Sequence, residues 1–224
     1  MSMLSNLELI RRVPLFALLT SAQAEAVAGA VVKRRFKRGE VIVEQGDKSN
    51  MLFIILTGRA RVVTADKRGR EVILATLQPG DYLGEMSLID NEAHSATVRA
   101  EVQTDLLCLG RAEFARCLPE NSSMAYTIMK GLVQRLRAAD RKIESLALMD
   151  VYGRVARALL EFAAPDRDGQ LTIRERISRQ DIAKMVGASR EMVSRVMKDL
   201  EERGFVETRD DGSMLIKDRL STLG

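Results

Sequence analysis

The sequence predicts an α+β protein: a roll of short strands, one long helix, and a compact helical module closed by a hairpin. Three observations carry this. Short apolar runs alternate with glycine-bearing turns from Arg34 to about Leu109. Between Pro119 and Asp150 the hydrophobic spacing changes to a heptad seam. The last third holds two capped helices around a glycine, then two short strands around an Asp-Gly pair. With 224 residues, 46% of them hydrophobic and 29% charged, the chain can form two ordinary domains.

At the N-terminus, Arg11-Arg12 followed by Val13 to Leu19 loosely imitates a twin-arginine signal. The apolar stretch is only seven residues long and contains Pro14, so a pair of short docking helices is expected instead. The roll follows, with candidate strands Val41–Val43, Met51–Leu56, Arg59–Ala65, Glu71–Leu77 and Thr104–Leu109. Turns fall at Gly39, Gly46-Asp47, Gly58, Lys67-Arg68-Gly69 and Pro79-Gly80-Asp81, a pattern of sandwiches and closed rolls.

Met129, Leu132, Leu136, Ala139, Ile143 and Leu146 step alternately by three and four. That a/d seam is narrower than the stripe a globular helix buries. A second copy of the chain, paired through residues 129–146, is the economical partner; packing on its own domain is the alternative. Asp150 then caps a helix to about Ala164 with Val155, Leu159, Leu160 and Phe162 inward, and Met149-Asp150 marks the expected hinge. Leu171–Ile173 reads as a strand, and Gly204–Arg209 and Ser213–Ile216 as a hairpin turning through Asp210-Asp211-Gly212.

Between these lie two helices. Ser178 caps the first, which turns Ile182, Ala183 and Val186 inward; Gly187 allows a sharp turn. Ser189 caps the second, which buries Val193, Val196, Met197 and Leu200. Its other face shows Arg190, Glu191, Ser194, Arg195 and Lys198. Arg174 to Lys198 holds seven basic and three acidic residues, an excess equal to the whole chain's formal +4. Charge focused in this way suits attachment to phosphates. Arginine bidentate to guanine, and glutamate accepting from cytosine, are the chemistries that read G·C pairs in a major groove.

Ser189-Arg190-Glu191-x-Val193-x-Arg195, set after Ile182-Ala183 and Val186-Gly187, resembles the recognition motif of the Crp/Fnr family of bacterial transcription regulators. The resemblance implies a cyclic-nucleotide-binding-type β-roll over 1–118, a dimerisation helix over 119–149 and a winged helix-turn-helix over 150–224. It assigns base contacts to Arg190, Glu191 and Arg195. Lys198 is an expected phosphate contact, and Arg179, Gln180, Ser189 and Ser194 complete the DNA face. The implied partners are double-stranded DNA, a second copy and, as a further candidate, RNA polymerase; the implied location is the cytoplasm, with no membrane contact.

Gly84-Glu85-Met86-Ser87-Leu88, followed by His94-Ser95-Ala96, resembles the family's phosphate-binding cassette. A glycine opening a short helix presents backbone N–H groups to an anion. Glu85 can accept from a ribose hydroxyl and Ser95 can donate to phosphate; a plain solvent loop is the alternative. Nucleotide-binding members carry an arginine where His94 stands, and their adenine-contacting hydroxyls match Ala139 and Asp140. The loop between is also one residue shorter than in the catabolite activator branch. These departures argue against cAMP, because histidine offers no fixed bidentate charge. Arg137, Asp140 and Arg141 suit a guanine edge, so cyclic-di-GMP or a cyclic mononucleotide such as cGMP stays open, as does no effector. The cysteine cluster of the iron–sulfur branch is missing, and no haem is expected. Cys108 and Cys117 are expected as core or incidental thiols, and one histidine with no nucleophile–base motif leaves no catalytic site to assemble. The competing reading is a nucleotide-sensing module that acts through protein contacts without reading DNA.

Overall fold

The computed structural model describes residues 5–17, 19–117, 122–209, 211–217 and 220. Leu18, Pro119, the 118/119 boundary and Asp210 of the expected turn lie outside them. Two compact units divide the chain, residues 1–136 and 137–224.

The first unit opens with α1 (Asn6–Ile10) and α2 (Ser21–Ala30), joined by a single 3-10 turn at Pro14–Phe16. Ser5 with Glu8 and Thr20 with Gln23 close reciprocal capping boxes that satisfy the first backbone N–H groups of each helix. Within the apolar segment that imitates a signal, Val13, Leu15 and Phe16 are buried.

Eight strands follow: β1 (Val32–Phe36), β2 (Val41–Val43), β3 (Met51–Thr57), β4 (Ala60–Ala65), β5 (Glu71–Leu77), β6 (Tyr82–Leu83), β7 (Thr97–Ala100) and β8 (Thr104–Gly110). They form two antiparallel four-stranded sheets, β1-β8-β3-β6 and β2-β7-β4-β5. The continuous apolar run of β3 has a physical reason. Phe53 and Ile55 face the second sheet with Leu106 and Cys108 of β8. Leu52 and Ile54, with Leu107 and Leu109, face the helices. A strand covered on both faces does not alternate. Gly58, at φ +87°, turns β3 into β4; a Cβ there would collide with the Gln103 carbonyl oxygen. The β1 strand begins at Val32 rather than Arg34, and three successive cations (Lys33 to Arg35) hide its period.

The helix α3 (Glu85–Asp90) lies between β6 and β7, and α4 (Arg111–Cys117) follows β8. The long α5 (Ser122–Leu148) buries Met124 and Ile128 against the roll. Of the expected seam, Met129, Leu136, Ala139, Ile143 and Leu146 are exposed on the single chain. Leu132 departs from it: this residue packs partly against the roll's own core.

The second unit continues with α6 (Val151–Phe162), capped by Asp150 Oδ1, which accepts the Gly153 N–H at 2.8 Å. Val155 and Leu159 are buried as expected, but Phe162 is exposed and the helix stops there. It ends because Ala164–Pro165 (β9) pair with β10 (Leu171–Ile173). Then come α7 (Arg179–Val186), α8 (Arg190–Glu202), β11 (Val206–Thr208) and β12 (Met214–Ile216) in a sheet ordered β11-β12-β10-β9. Among the described residues, no helix is long and apolar enough to cross a membrane.

Candidate DNA-reading face and sensor cassette

The two helices of the turn are fixed by their caps. Ser178 Oγ accepts the Asp181 N–H at 3.0 Å and Ser189 Oγ accepts the Met192 N–H at 3.2 Å. Between them Gly187, at φ +64°, takes the left-handed conformation that ends α7. Ile182, Ala183, Val186, Val193, Val196, Met197 and Leu200 share one core. Burying that stripe turns Arg190, Glu191, Ser194, Arg195 and Lys198 to the surface, and all five are exposed.

Their chemistry differs. Arg190 and Arg195 make no ion pair among the described residues. Glu191 is held below the usual carboxylate range by its own backbone N–H and the Ser189 hydroxyl, then by Arg190 and Arg195, so it is an ionised acceptor. The Ser194 hydroxyl donates to the Arg190 carbonyl at 2.8 Å, one turn back. Gln180 is exposed, Arg179 donates to Glu201 at 3.1 Å, and Lys198 pairs with Glu202 at 3.6 Å. Exposed guanidiniums beside an ionised acceptor on a capped helix match the donors and acceptors of G·C edges.

At the cassette the polar groups are turned inward. Gly84, at φ +89°, opens α3; a Cβ there would meet the Met51 carbonyl oxygen. Glu85 is only 1% exposed. Its Oε1 accepts from Arg135 Nη1 of α5 at 2.5 Å, and the same guanidinium also donates to the Tyr82 carbonyl and lies over the Tyr82 ring. Glu85 Oε2 is buried with no partner among the described residues. Burial pushes this carboxyl up, and Arg135 pulls it part of the way back. The carboxylate expected to accept from a ribose hydroxyl is therefore beneath the surface, already holding a cation.

Ser87 is buried and its hydroxyl donates to the Glu92 carbonyl at 2.6 Å. His94 is buried too, with Nε2 2.9 Å from Ser49 Oγ and its backbone N–H on the Asp47 carbonyl. Desolvation holds the imidazole below its usual value, against the opposing pull of Asp47. Burial thus favours the neutral ring at the position where nucleotide-binding members of the resembled family carry an arginine. Met86 and Ser95 are exposed, and Asp140 is exposed on the part of α5 that belongs to the second unit. Cys108 is a buried core thiol pushed up to about 11 by burial.

Arg135, Ser49, Tyr82 and Glu201 were not singled out from the sequence. Their partners lie 50, 45, 46 and 22 residues away in the chain. One signal was available. Gly131 sits inside a helix, where glycine is unfavourable, and a Cβ there would collide with the Tyr82 hydroxyl. That hydroxyl donates to the Ile128 carbonyl at 3.3 Å, so Gly131 is the notch that admits it.

Residues 33–121 match the cyclic nucleotide-binding domain and residues 153–220 the Crp-like helix-turn-helix domain. The cAMP-activated global transcriptional regulator Vfr of Pseudomonas aeruginosa is 38% identical over 186 residues, covering 79% of this chain and 86% of that one. The corresponding regulator CRP of Salmonella typhimurium is 32% identical over 178 residues, covering 77% and 83%. Among solved structures, the c-di-GMP-responsive global regulator CLP of Xanthomonas campestris superposes with a TM-score of 0.76 at 25% identity, covering 88% of this chain and 98% of that one. Roll, long helix and helix-turn-helix follow one another here in the order of these relatives, and the chain belongs to the Crp/Fnr family of transcription regulators.

Proposed function

We propose that this chain is a homodimeric cytoplasmic regulator that reads a TGTGA-like palindrome and answers to a nucleotide-type effector other than cAMP. One observation carries the DNA reading: burial of Val193, Val196, Met197 and Leu200 turns Arg190, Glu191 and Arg195 together to the surface of a capped helix. In this reading they touch base edges while Lys198, Gln180, Ser189 and Ser194 lie toward the backbone. The exposed α5 residues Met129, Leu136, Ile143 and Leu146 support pairing with a second copy. Two-fold symmetry then asks for half-sites about one helical turn apart.

For the effector, Glu85 Oε2 is a buried acceptor that a ligand hydroxyl can satisfy. His94 supports the exclusion of cAMP, since a neutral imidazole bonded to Ser49 supplies no cation for a cyclic phosphate. The relatives' names record both cAMP and c-di-GMP as effectors, so the pocket of each chain decides.

Selection of bound duplexes from a random pool, at fixed salt, tests the first part. A palindrome with G·C pairs at matching positions in both halves is expected; recovery of unrelated sequences would leave the sensing module that acts through protein contacts. Calorimetric titration with cAMP and, separately, cyclic-di-GMP tests the second. Weak or no cAMP binding is expected, with improvement in His94→Arg. Tight cAMP binding by the unmodified chain would defeat the effector reading alone.

A further inference from the structure

Arg179 is the first residue of α7, and its Nη2 donates to Glu201 Oε1, near the end of α8, at 3.1 Å. The same Oε1 accepts the Thr208 hydroxyl of β11 at 2.8 Å. The arginine side chain is 32% exposed and the glutamate 36%, so solvent reaches both. Guanidinium holds carboxylate with the same planar donor fork that holds phosphate. A DNA phosphate arriving at the start of α7 must therefore take Arg179 from Glu201. Glu201 tolerates the loss, because the Thr208 hydroxyl and water remain as donors.

We propose that Glu201 is a positioning residue that sets DNA affinity: in the free protein it holds Arg179 as an internal stand-in for phosphate, and docking exchanges one for the other. This rests on the DNA-binding reading above. The exchange lowers affinity for every duplex alike, since phosphates are the same at every sequence. Sequence preference stays with Arg190 and Arg195, which have no carboxylate to leave among the described residues. Lys198 and Glu202 repeat the arrangement in weaker form, 3.6 Å apart with side chains 77% and 64% exposed. They provide an internal comparison.

Fluorescence anisotropy of the full chain, on its selected duplex and on an unrelated duplex at one salt concentration, tests the exchange. Glu201→Gln keeps the shape and the Thr208 bond but removes the competing charge. It is expected to tighten both complexes by about two- to fivefold, the worth of an exposed ion pair. Glu202→Gln should do less. In an Arg179→Ala background Glu201→Gln should change nothing. Equal tightening in both backgrounds would reveal a general charge effect and overturn the proposal, as would no tightening at all. Thermal unfolding of each variant guards against misfolding, and Glu201→Ala gives a second route to the same cycle. If the unmodified chain binds neither duplex, the DNA reading falls and the exchange with it. If it binds and the cycle is additive, only the role of Glu201 falls.

Discussion

On α8, Arg190, Glu191 and Arg195 stand exposed, and the helix beneath them is secured by a buried apolar stripe. In and just after α3, Glu85, Ser87 and His94 are buried, and each uses polar atoms on the protein itself. In the first, the exposed charges are separate from what holds the helix; in the second, the polar groups are part of what holds the fold. An exposed cation can be removed without leaving anything unsatisfied, whereas removing a partner of Glu85 leaves a charge stranded in low dielectric. Substitutions in the two regions should therefore report on different quantities, and four measurements press on that contrast.

The largest effect is expected at the seam that would serve both regions. Leu136 and Ile143 are 62% and 64% exposed on the single chain. Replacing both with Asp spares the roll core but puts charge into the paired seam, at a cost to association of several kcal/mol, as for unpaired buried charge. Sedimentation should show monomers; a persisting dimer would place the interface elsewhere.

Next is Arg135→Ala, which strips Glu85 of its cation. With Arg135 itself 40% exposed, the loss is discounted for screening to at most about 3 kcal/mol. The sign with pH is specific. Burial already raises the Glu85 carboxyl, and the variant raises it further. The unfolded carboxyl ionises at its ordinary value, so the penalty is full above the folded value and fades as pH falls through it. Denaturant titrations at neutral and acidic pH check this; an equal loss at both would show that Glu85 is not the stranded group.

The reading face should behave in the opposite way. Arg190→Ala is expected to cost about 1–3 kcal/mol in binding and to relax preference at one G·C pair. Lys198→Ala should weaken all duplexes alike and flatten the salt dependence. Neither should change the unfolding free energy by more than about 0.5 kcal/mol. If Arg190→Ala behaved like Lys198→Ala in binding-site selection, the base-reading assignment would be wrong.

The smallest effect concerns His94. Its folded-state value is depressed, so the unfolded chain takes the proton first. The stability it contributes is present above the ordinary histidine value of about 6.5 and is lost as pH falls below it. Glu85 has the opposite slope in acid, so His94→Gln compared with the unmodified chain isolates the histidine. The variant's stability should be flatter between neutral pH and pH 5; an unaltered slope would mean that Ser49 does not hold a neutral ring.

Much of this protein is determined locally. The caps Ser178, Ser189 and Asp150, the left-handed Gly187 and the buried stripe of α8 were all legible in the sequence. Each depends on residues within one or two turns of one another. Periodicity likewise placed the main strands of the roll and the long helix α5. The tertiary structure decided what depends on distant partners. Pairing of β9 with β10 takes the chain out of α6 at Phe162, and the two-sided burial of β3 explains its unbroken apolar run. The same holds for charge. A sequence displays Glu85, His94 and Arg179 as polar residues available to a ligand. The fold brings Arg135, Ser49 and Glu201 to them from 50, 45 and 22 residues away, and a polar group's availability is set by whichever partner reaches it first.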